Sequence, residues 1–433
     1  MSAHVPAEDW AESSDVAFAH DPVSAYGRVR AQTCKLCDPL EIEDHGLQSM
    51  PDASPVKWHL AHTTWFFETF VLQAVDPAYA PFDERFGYLF NSYYETVGRM
   101  HPRPARGLLS RPTVARVQAY RAAIDERMLT LLARGDLDAE HLRIVELGLH
   151  HEQQHQELIL TDLKHGFACN PLRPAYRTDP PPRTHASAIA TLGWVGHPGG
   201  VARIGHEGDG FAFDNEGPPH RVFVEPFGLA SRLVTCGEYL EFMADGGYQR
   251  PELWLADGWH TVREHGWTAP LYWERSHERE PWRVFTLFGM RELEPAEPVV
   301  HVSLYEADAY ARWTGFRLPT EAEWEVTCSG RPIGGNFVQS ERLHPAPATG
   351  EDPLLQAWGD VWEWTGSAYA PYPAYRAPAG ALGEYNGKFM SSQVVLRGGS
   401  CVTPRDHMRA TYRNFFHPSA RWQFSGIRLA RDQ

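Results

Sequence analysis

The stretch DAEHLRIVELGLHHEQQHQELILTDLKHG, residues 138–166, decides the fold of the first part of this chain. Its apolar residues recur with helical spacing, which predicts one long helix over about residues 139–165 that ends at Gly166. His151 and His155 lie on the same stripe as leucines, at spacings of three and four residues. Histidines on an apolar stripe point into a bundle, where an imidazole needs a hydrogen-bond partner or a metal ion. The stretch therefore predicts a helical bundle with two histidines inside it.

The string HEQQH at residues 151–155 also matches the zinc-protease pattern H-E-x-x-H. Two histidines four residues apart on a helix lie on one face and can bind one metal ion, and in zinc proteases the glutamate is the general base. The extended metzincin pattern is absent, because Leu158 and Thr161 stand where that pattern requires glycine and histidine. A match this short leaves a zinc hydrolase and two solvated histidines as alternatives to a metal site in a bundle.

The composition is that of an ordered globular protein, with 43% apolar and 22% charged residues. A length of 433 residues suits two or three domains. The net charge of −15 and the lack of a dense Lys/Arg run argue against nucleic acid or an anionic membrane as a partner. The first fifteen residues are polar and do not resemble a signal peptide, and no apolar run is long enough to span a membrane. We expect a cytoplasmic protein; the composition does not indicate an oligomeric state.

The six cysteines do not indicate a disulfide framework in a chain of this length. Cys34 and Cys37 form one CxxC pair, but no second pair follows at zinc-ribbon spacing. We therefore expect reduced, partly buried thiols.

The pattern of apolar residues in the sequence changes near residue 170. Before it lie the long helical segments 53–75, 113–135 and 138–166, of which the last begins at Asp138. The proline-rich segment 170–185 has no periodicity and is typical of a linker.

Beyond this segment, short apolar runs alternate with Gly, Pro and Trp, and one helix is predicted near SLYEADAYARWTG, residues 303–315. The predicted fold is multidomain, α followed by α+β: a helical bundle over residues 1–170, a linker over 171–188 and an irregular α+β domain over 189–433.

A third metal ligand is predicted in WHLAHTTWFFE, residues 58–68, where His62 lies on the apolar stripe. His59 lies about 60° off that stripe and is expected to support a ligand or to face the surface. A core histidine bonded to a carbonyl group is the alternative for His62. Three neutral histidines without a carboxylate would leave about three open positions on an octahedral ion. Iron(II) bound in this way would keep its full charge, which suits an anionic thiolate and dioxygen.

Two stretches between the helices are candidates for the pocket wall. FNSYYETVG carries Tyr93 and Tyr94, whose phenols can donate a proton, although adjacent tyrosines also occur as packing residues. MHPRPARGLLSRPT brings together Arg103, Arg106 and Arg111, which can bind carboxylates or form a solvated basic loop.

The sequence from about residue 190 onward resembles the formylglycine-generating-enzyme or sulfatase-modifying fold, which is related to C-type lectins. Five ordered motifs carry the resemblance: DNEGPPHRVFVEPFGLASRLVTCGEYLEFMADGGY, RLPTEAEWE, GDVWEWT, VLRGGS and SGIRLAR. The formylglycine-generating enzymes bind copper through a cysteine pair near the C-terminus, whereas this segment has only Cys401 there. Their activity is therefore not expected.

The first half, with WHLAHTTWFFE, FNSYYE, RGLLSRPT and HHEQQHQEL, looks like the DinB-type bundle that joins this fold in the ergothioneine-biosynthesis sulfoxide synthases (the EgtB family). The resemblance implies a non-haem Fe(II) site between the two domains, with His62, His151 and His155 at the matching positions. It also implies an O2-dependent reaction that joins a thiol, cysteine or γ-glutamylcysteine, to carbon 2 of the hercynine (Nα-trimethylhistidine) imidazole and forms a sulfoxide.

By the same resemblance, Gln154 matches a residue that contacts the hercynine imidazole, and Asn414 matches one near its betaine end. Phe415 and Phe416 follow, where members that use γ-glutamylcysteine carry Trp-Asp. The loss of the acidic side chain favours cysteine as the thiol.

Overall fold

The computed structural model describes residues 21–179, 182, 190–277 and 279–433. The first twenty residues, where no signal peptide is expected, and most of the predicted linker beyond residue 179 lie outside the described residues. In the part of the chain that is described, no helix has the length and apolarity that crossing a membrane requires.

The first part of the chain is helical and packs as a bundle. Its α-helices are α1 Pro22–Lys35, α2 Val56–Phe67, α3 Gln73–Val75, α4 Phe86–Phe90, α5 Val114–Arg134 and α6 Ala139–Cys169. A π-helical turn, Glu68–Leu72, joins α2 to α3, and short 3-10 helices cover Asp44–Gly46 and Arg103–Leu108. The three long helical segments predicted from the sequence correspond to α2 with its extension, α5 and α6.

The predicted start of α6 is confirmed, but its predicted end is wrong. The Asp138 side chain accepts a hydrogen bond from the backbone N–H of His141, as an N-cap residue does. Helix α6 continues past Gly166 to Cys169. A Cβ at position 166 would lie 2.3 Å from a methyl carbon of Leu47, so this glycine allows the close approach of a neighbouring segment and does not terminate the helix.

A second glycine sets the distance between α2 and α6. A Cβ at Gly148 would lie 2.6 Å from a ring carbon of Phe67 and 2.7 Å from one of Phe66. Both phenylalanines are on α2 and are buried. Because Gly148 precedes His151 by about one turn, the close approach that it permits brings the histidine-bearing faces of α2 and α6 together.

The second part of the chain is an irregular α+β domain with short strands. Its strands are β1 Trp194–His197, β2 Gly200–Ile204, β3 His220–Val224, β4 Phe227–Ala230, β5 Trp273–Glu274, β6 Arg283–Thr286, β7 Gly289–Glu292, β8 Trp362–Ala368, β9 Val394–Arg397, β10 Asn414–Phe416, β11 Ser425–Gly426 and β12 Ala430–Asp432. Its α-helices are α7 Cys236–Ala244, α8 Ala256–His265, α9 Leu304–Trp313, α10 Glu321–Cys328 and α11 Glu384–Gly387. The strands form sheets in the orders β1-β4-β12, β10-β9-β8-β11, β2-β3 and β5-β6-β7. The predicted class, α followed by α+β, is confirmed.

The sequence motifs of this domain meet in a buried ionic network beside the four-stranded sheet. The Arg428 guanidinium donates to Glu363 at 2.8 Å, and the Trp324 indole donates to the same carboxylate at 2.8 Å. Arg397 donates to Glu321 at 2.9 Å. These polar groups are buried, so they depend on one another for hydrogen bonds. The network therefore stabilises the sheet that carries β10.

The two parts of the chain share a continuous buried surface. Glu157 of α6 accepts hydrogen bonds from the Trp362 indole at 2.7 Å, the Ser400 hydroxyl at 2.9 Å and the Thr403 hydroxyl at 2.7 Å. The described part of the predicted linker is also packed, since the buried Tyr176 donates to the carbonyl oxygen of Leu36 at 2.8 Å. These contacts hold α6 against the second domain, so that one face of α6 borders the space between them.

Candidate metal centre and cavity

Three histidines from two helices converge inside the bundle. His62 comes from α2, and His151 and His155 come from α6; all three are buried. The Nε2 atom of His151 lies 3.2 Å from Nε2 of His62 and 3.1 Å from Nε2 of His155. Two nitrogens bound to one ion at about 2.1 Å and at right angles are about 3.0 Å apart. Both pairs therefore have the spacing of two ligands on one metal ion, and the ligand atoms of all three histidines lie within 4.8 Å of one another.

Hydrogen bonds on the outer side of two rings fix which nitrogen faces the centre. His62 donates from Nδ1 to the carbonyl oxygen of Phe90 at 2.6 Å. Nδ1 of His155 is 2.7 Å from Nδ1 of His59, and Nε2 of His59 is 3.2 Å from a carboxylate oxygen of Asp162. Because the carboxylate accepts from His59, the Nδ1 atom of His59 accepts from His155. In both His62 and His155 the Nε2 lone pair is thus directed at the centre.

The burial of the three rings makes them neutral donors. Burial lowers the pKa of His62 and His155 well below the ordinary value and lowers that of His151 to about 4. The Nε2 lone pairs of His62 and His155 are directed at the centre, and Nδ1 of His151 is buried without a hydrogen-bond partner in the described part of the chain, so no contact there on its outer side competes with a metal ion for the ring. Among the described residues these three form a group that can hold a metal ion. The donor set fits a divalent metal with imidazole ligands.

The glutamate of the HEQQH string is not available as a general base. The Glu152 carboxylate is fully buried and accepts from Arg30 at 2.8 Å, from Arg121 at 2.5 Å and from the Thr33 hydroxyl at 2.7 Å. Burial raises its pKa, but the two guanidinium groups outweigh that effect and hold the pKa at about 2. The carboxylate therefore joins α6 to α1 and α5, which removes the feature on which a zinc hydrolase would depend.

A cavity of about 270 Å³ opens from the three histidines to the interface between the two parts of the chain. Its lining from the bundle includes the three histidines and the residues Trp58, Tyr93, Tyr94, Arg103, Arg106 and Gln154. Its lining from the second domain includes Phe213, Tyr385, Phe389, Tyr412, Asn414, Phe415, Phe416 and Trp422. The site residues predicted from the sequence, with the exception of Arg111, border this one cavity.

Two arginines supply positive charge to the bundle side of the cavity. Arg106 is buried, lies over the Trp58 ring at 3.3 Å, and donates to the hydroxyls of Ser54 and Ser92 at 2.9 and 2.8 Å. Within the described chain neither Arg106 nor Arg103 has a carboxylate within ion-pair distance. Burial lowers the pKa of Arg106 to about 9. A buried guanidinium without a counter-ion is suited to bind an anionic group of a ligand.

The predicted third arginine of this group does not reach the cavity. The Arg111 side chain is exposed and donates to the carbonyl oxygen of Ser110 at 3.0 Å. Arg111 lies beyond the short 3-10 helix Arg103–Leu108, which carries Arg103 and Arg106 at the cavity wall.

The two adjacent tyrosines have different surroundings. The hydroxyl of Tyr93 accepts from Arg103 at 2.8 Å, which leaves its own proton free for a partner in the cavity. Tyr93 has a φ of 69°, a conformation that costs about 1–3 kcal/mol in a residue with a side chain and that is frequent at functional sites. Tyr94 is buried between Trp65 and Phe70, and burial raises its pKa above the ordinary value, so its phenol is neutral.

The remaining predicted residues lie across the cavity from one another. Gln154 of α6 donates from its amide to the Tyr412 hydroxyl at 2.8 Å. Asn414, Phe415 and Phe416 form β10, the edge strand that pairs with β9. The Phe415 ring is stacked on Tyr369 with centroids 4.0 Å apart, so this wall is apolar and rigid.

Of the two expectations for His59, support of a ligand agrees with the structure and a surface position does not, because His59 is buried and bonded to His155. Several other residues that shape the site were not predicted. Asp162 lies on the same helical stripe as the histidines, which was a signal, because a carboxylate inside a bundle needs a partner. Glu157, Tyr385, Phe389 and Tyr412 carry no such signal, since their positions depend on how the two domains dock.

Comparisons with known proteins agree with this two-part architecture. Residues 25–159 match the DinB superfamily, and residues 182–352 and 350–433 match the sulfatase-modifying factor enzyme 1-like domain. A formylglycine-generating enzyme from Streptomyces coelicolor is 30% identical over a region that covers 60% of this chain and 95% of that protein. That similarity is confined to part of the chain.

Similarity over nearly the whole chain is found with enzymes named hercynine oxygenase. The protein from Mycolicibacterium thermoresistibile is 32% identical, covering 93% of both chains, and that from Mycobacterium tuberculosis is 33% identical, covering 94% of this chain and 97% of the relative. The match spans both domains and therefore the cavity between them. The chain belongs to the hercynine oxygenase family, a family of oxygen-dependent oxidoreductases.

Proposed function

We propose that this protein is a non-haem iron(II)- and O2-dependent sulfoxide synthase that acts on hercynine in ergothioneine biosynthesis. In the proposed reaction, the sulfur of cysteine is joined to carbon 2 of the hercynine imidazole and is oxidised to the sulfoxide. The observation that carries the proposal is the His62, His151 and His155 cluster at the end of a cavity walled by both family domains. Three ligands leave room at the ion for further groups.

The proposed ligands are these three imidazoles, with His59 and Asp162 behind His155. Iron(II) bound there would supply open coordination positions and the electrons with which dioxygen reduction begins. The chain itself holds the Nε2 lone pairs of His62 and His155 in place through the hydrogen bonds to Phe90 and His59. Neutral imidazoles leave the charge of the ion uncompensated, which favours a thiolate as a neighbouring ligand.

The thiol substrate would bind on the bundle side of the cavity. Arg106 and Arg103 would hold its carboxylate, because their guanidinium groups lack ion pairs and line the cavity. Tyr93 would then hold a proton at its hydroxyl oxygen close to the bound sulfur, since that oxygen already accepts from Arg103. Tyr94 is the alternative donor, because its neutral phenol also borders the cavity.

Hercynine would lie between Gln154 and β10. Gln154 would contact the imidazole, and Asn414 would lie near the quaternary ammonium and carboxylate end. Phe415 and Phe416 make this wall apolar, so a γ-glutamyl group would find no charged partner on that strand. This supports cysteine as the thiol.

The proposed reaction balances without another reductant. The thiol hydrogen and the hydrogen on imidazole carbon 2 leave with one oxygen atom as water, and the second oxygen atom becomes the sulfoxide oxygen. The four electrons that reduce O2 come from forming the carbon–sulfur bond and from oxidising sulfur. The chain therefore has to orient two substrates, transfer protons and exclude solvent water, which the arginines, the tyrosines and the aromatic wall are placed to do.

The test is product analysis by mass spectrometry. Protein loaded anaerobically with iron(II) is given hercynine and either cysteine or γ-glutamylcysteine, and O2 is then admitted. We expect the cysteinyl sulfoxide of hercynine, formed only with O2 and iron(II), and faster with cysteine. Matched protein loaded with zinc is the control, and activity in the zinc form or without O2 would refute the proposal in favour of a hydrolase.

A further inference from the structure

A chain of hydrogen-bonded side chains crosses the domain interface beside the cavity. Gln154 of α6 lies 2.8 Å from the Tyr412 hydroxyl, which lies 3.1 Å from Nε2 of His407. Nδ1 of His407 lies 3.0 Å from Nδ1 of His150, which is again on α6. Tyr412 and His407 are 5% and 1% exposed, so solvent water does not compete for these bonds.

Aromatic packing holds these hydrogen-bonded side chains in place. The His150 ring is stacked on Phe211 with centroids 3.9 Å apart and planes inclined by 15°. The Tyr412 ring meets Phe213 edge-to-face at 5.7 Å and lies 5.4 Å from Trp362. These ring contacts hold the Tyr412 hydroxyl in one position. The Gln154 amide therefore orients to match the hydroxyl.

Along this series of hydrogen bonds each group donates to the next, from Gln154 to His150. An amide nitrogen only donates, so the Tyr412 oxygen accepts from Gln154 and its own proton goes to Nε2 of His407. Burial holds the pKa of His407 well below its ordinary value, so the ring is neutral. A neutral ring that accepts at Nε2 carries its proton at Nδ1 and donates it to His150. The arrangement occupies the amide nitrogen of Gln154 and leaves its carbonyl oxygen for the cavity.

We propose that Tyr412 and His407 are positioning residues that fix the Gln154 amide with its carbonyl oxygen toward the cavity, where it accepts the N–H of an imidazole substrate. The inference rests on the proposed function, because it requires an imidazole in the cavity. A neutral imidazole has one N–H and one lone pair, and an acceptor at Gln154 binds the N–H. The nitrogen with the lone pair is then left for the side of the three histidines, which sets the tautomer that binds.

Breaking this series of hydrogen bonds is expected to weaken the binding of hercynine and not that of the thiol. Without the Tyr412 hydroxyl, the Gln154 amide can rotate by half a turn and present its NH2 group to the substrate N–H. The lost hydrogen bond and orientation are expected to weaken hercynine binding about tenfold. The thiol would bind at Arg103 and Arg106, away from these hydrogen-bonded side chains, and its affinity should not change.

The experiment is an anaerobic calorimetric titration of the iron(II)-loaded protein with hercynine and, separately, with cysteine. For Tyr412→Phe and for His407→Phe we expect the hercynine dissociation constant to rise about tenfold and that of cysteine to stay within about twofold. His407→Gln keeps an acceptor for the Tyr412 proton and should recover binding to within about threefold. The double variant Tyr412→Phe/His407→Phe should bind no more weakly than the tyrosine variant alone, because both act through one chain.

The matched control is Tyr239→Phe. It removes another buried tyrosine hydroxyl, which is 3.0 Å from the Tyr248 hydroxyl in the same domain and outside the cavity lining, and should leave both constants unchanged. Unchanged hercynine binding in Tyr412→Phe overturns the inference, and so does an equal loss of both ligands or a failure of His407→Gln to recover binding. If the unaltered protein does not bind hercynine, the proposed function falls and the inference falls with it.

Discussion

Replacing His59 tests whether the centre binds a metal through an oriented His155. The two ring nitrogens of His59 each make one hydrogen bond, Nδ1 at 2.7 Å to Nδ1 of His155 and Nε2 at 3.2 Å to the Asp162 carboxylate. His59→Phe keeps a ring in the same buried space but removes both. The His155 N–H is then left without an acceptor among buried surroundings, which costs about 1–3 kcal/mol of folding free energy with or without metal.

The effect on the metal is separate from this loss of stability. Outer hydrogen bonds fix the tautomer of a ligating histidine and raise its basicity, and their loss typically weakens metal binding about 10- to 100-fold, or roughly 1.4–2.7 kcal/mol. We expect a loss in this range for His59→Phe. His59→Gln, whose amide can accept from His155 and donate to Asp162, should recover most of it.

The assay is an anaerobic competition between the protein and a chelating dye for iron(II), with cobalt(II) as a second probe. His45→Gln serves as the control, since it changes another buried histidine that lies outside the cavity lining. An iron(II) affinity in His59→Phe within about threefold of the unaltered protein would refute the role assigned to His59 and weaken the metal assignment itself.

Further predictions concern the cavity and the bundle. Arg106→Lys loses the fork that contacts two serines and should raise the KM for cysteine at least about tenfold while the KM for hercynine stays within about threefold, as steady-state kinetics will show. Tyr93→Phe should shift the product from sulfoxide toward cysteine sulfinate, and an unchanged ratio in both this variant and Tyr94→Phe, measured by mass spectrometry, would exclude a tyrosine as proton donor. Gly148→Ala places a Cβ 2.6 Å from Phe67 and should cost about 1–3 kcal/mol in chemical denaturation, with weaker metal binding because α2 and α6 separate. His151 is neutral in the folded protein but charged in the unfolded chain below about pH 6.5, so the unfolding free energy of metal-free protein should fall as the pH decreases from about 6.5 toward 4, by up to about 1.4 kcal/mol per pH unit for this residue. Denaturant titrations across this range will test the slope, and a flat profile would contradict the assigned burial.

The helical half of the site could be predicted because its information is local. His62, His151 and His155 each fall on an apolar stripe, and the period of the helix alone directs them inward. The predicted helix end at Gly166 was wrong, because a glycine that ends a helix and a glycine that makes room for a neighbouring side chain cannot be distinguished in the sequence. Only the position of Leu47 distinguishes the two.

Contacts between the domains could not be predicted in this way. Glu157 was an ordinary helical glutamate in the sequence, yet it is bonded to Trp362, Ser400 and Thr403. Its partners lie more than two hundred residues away, and no periodicity relates them. The motifs indicated the second fold but not the face that it presents to α6.

The edge strand β10 has a consequence for how such proteins diversify. The residues that would bind iron belong to one domain, whereas Asn414, Phe415 and Phe416 are consecutive positions on a short strand of the other. Substitutions there can change which molecules are accepted while the oxidising apparatus and its helical scaffold stay intact. Under the proposed function, natural selection or a protein engineer would therefore alter the preferred thiol by changing a few codons in one place, without rebuilding the histidine centre.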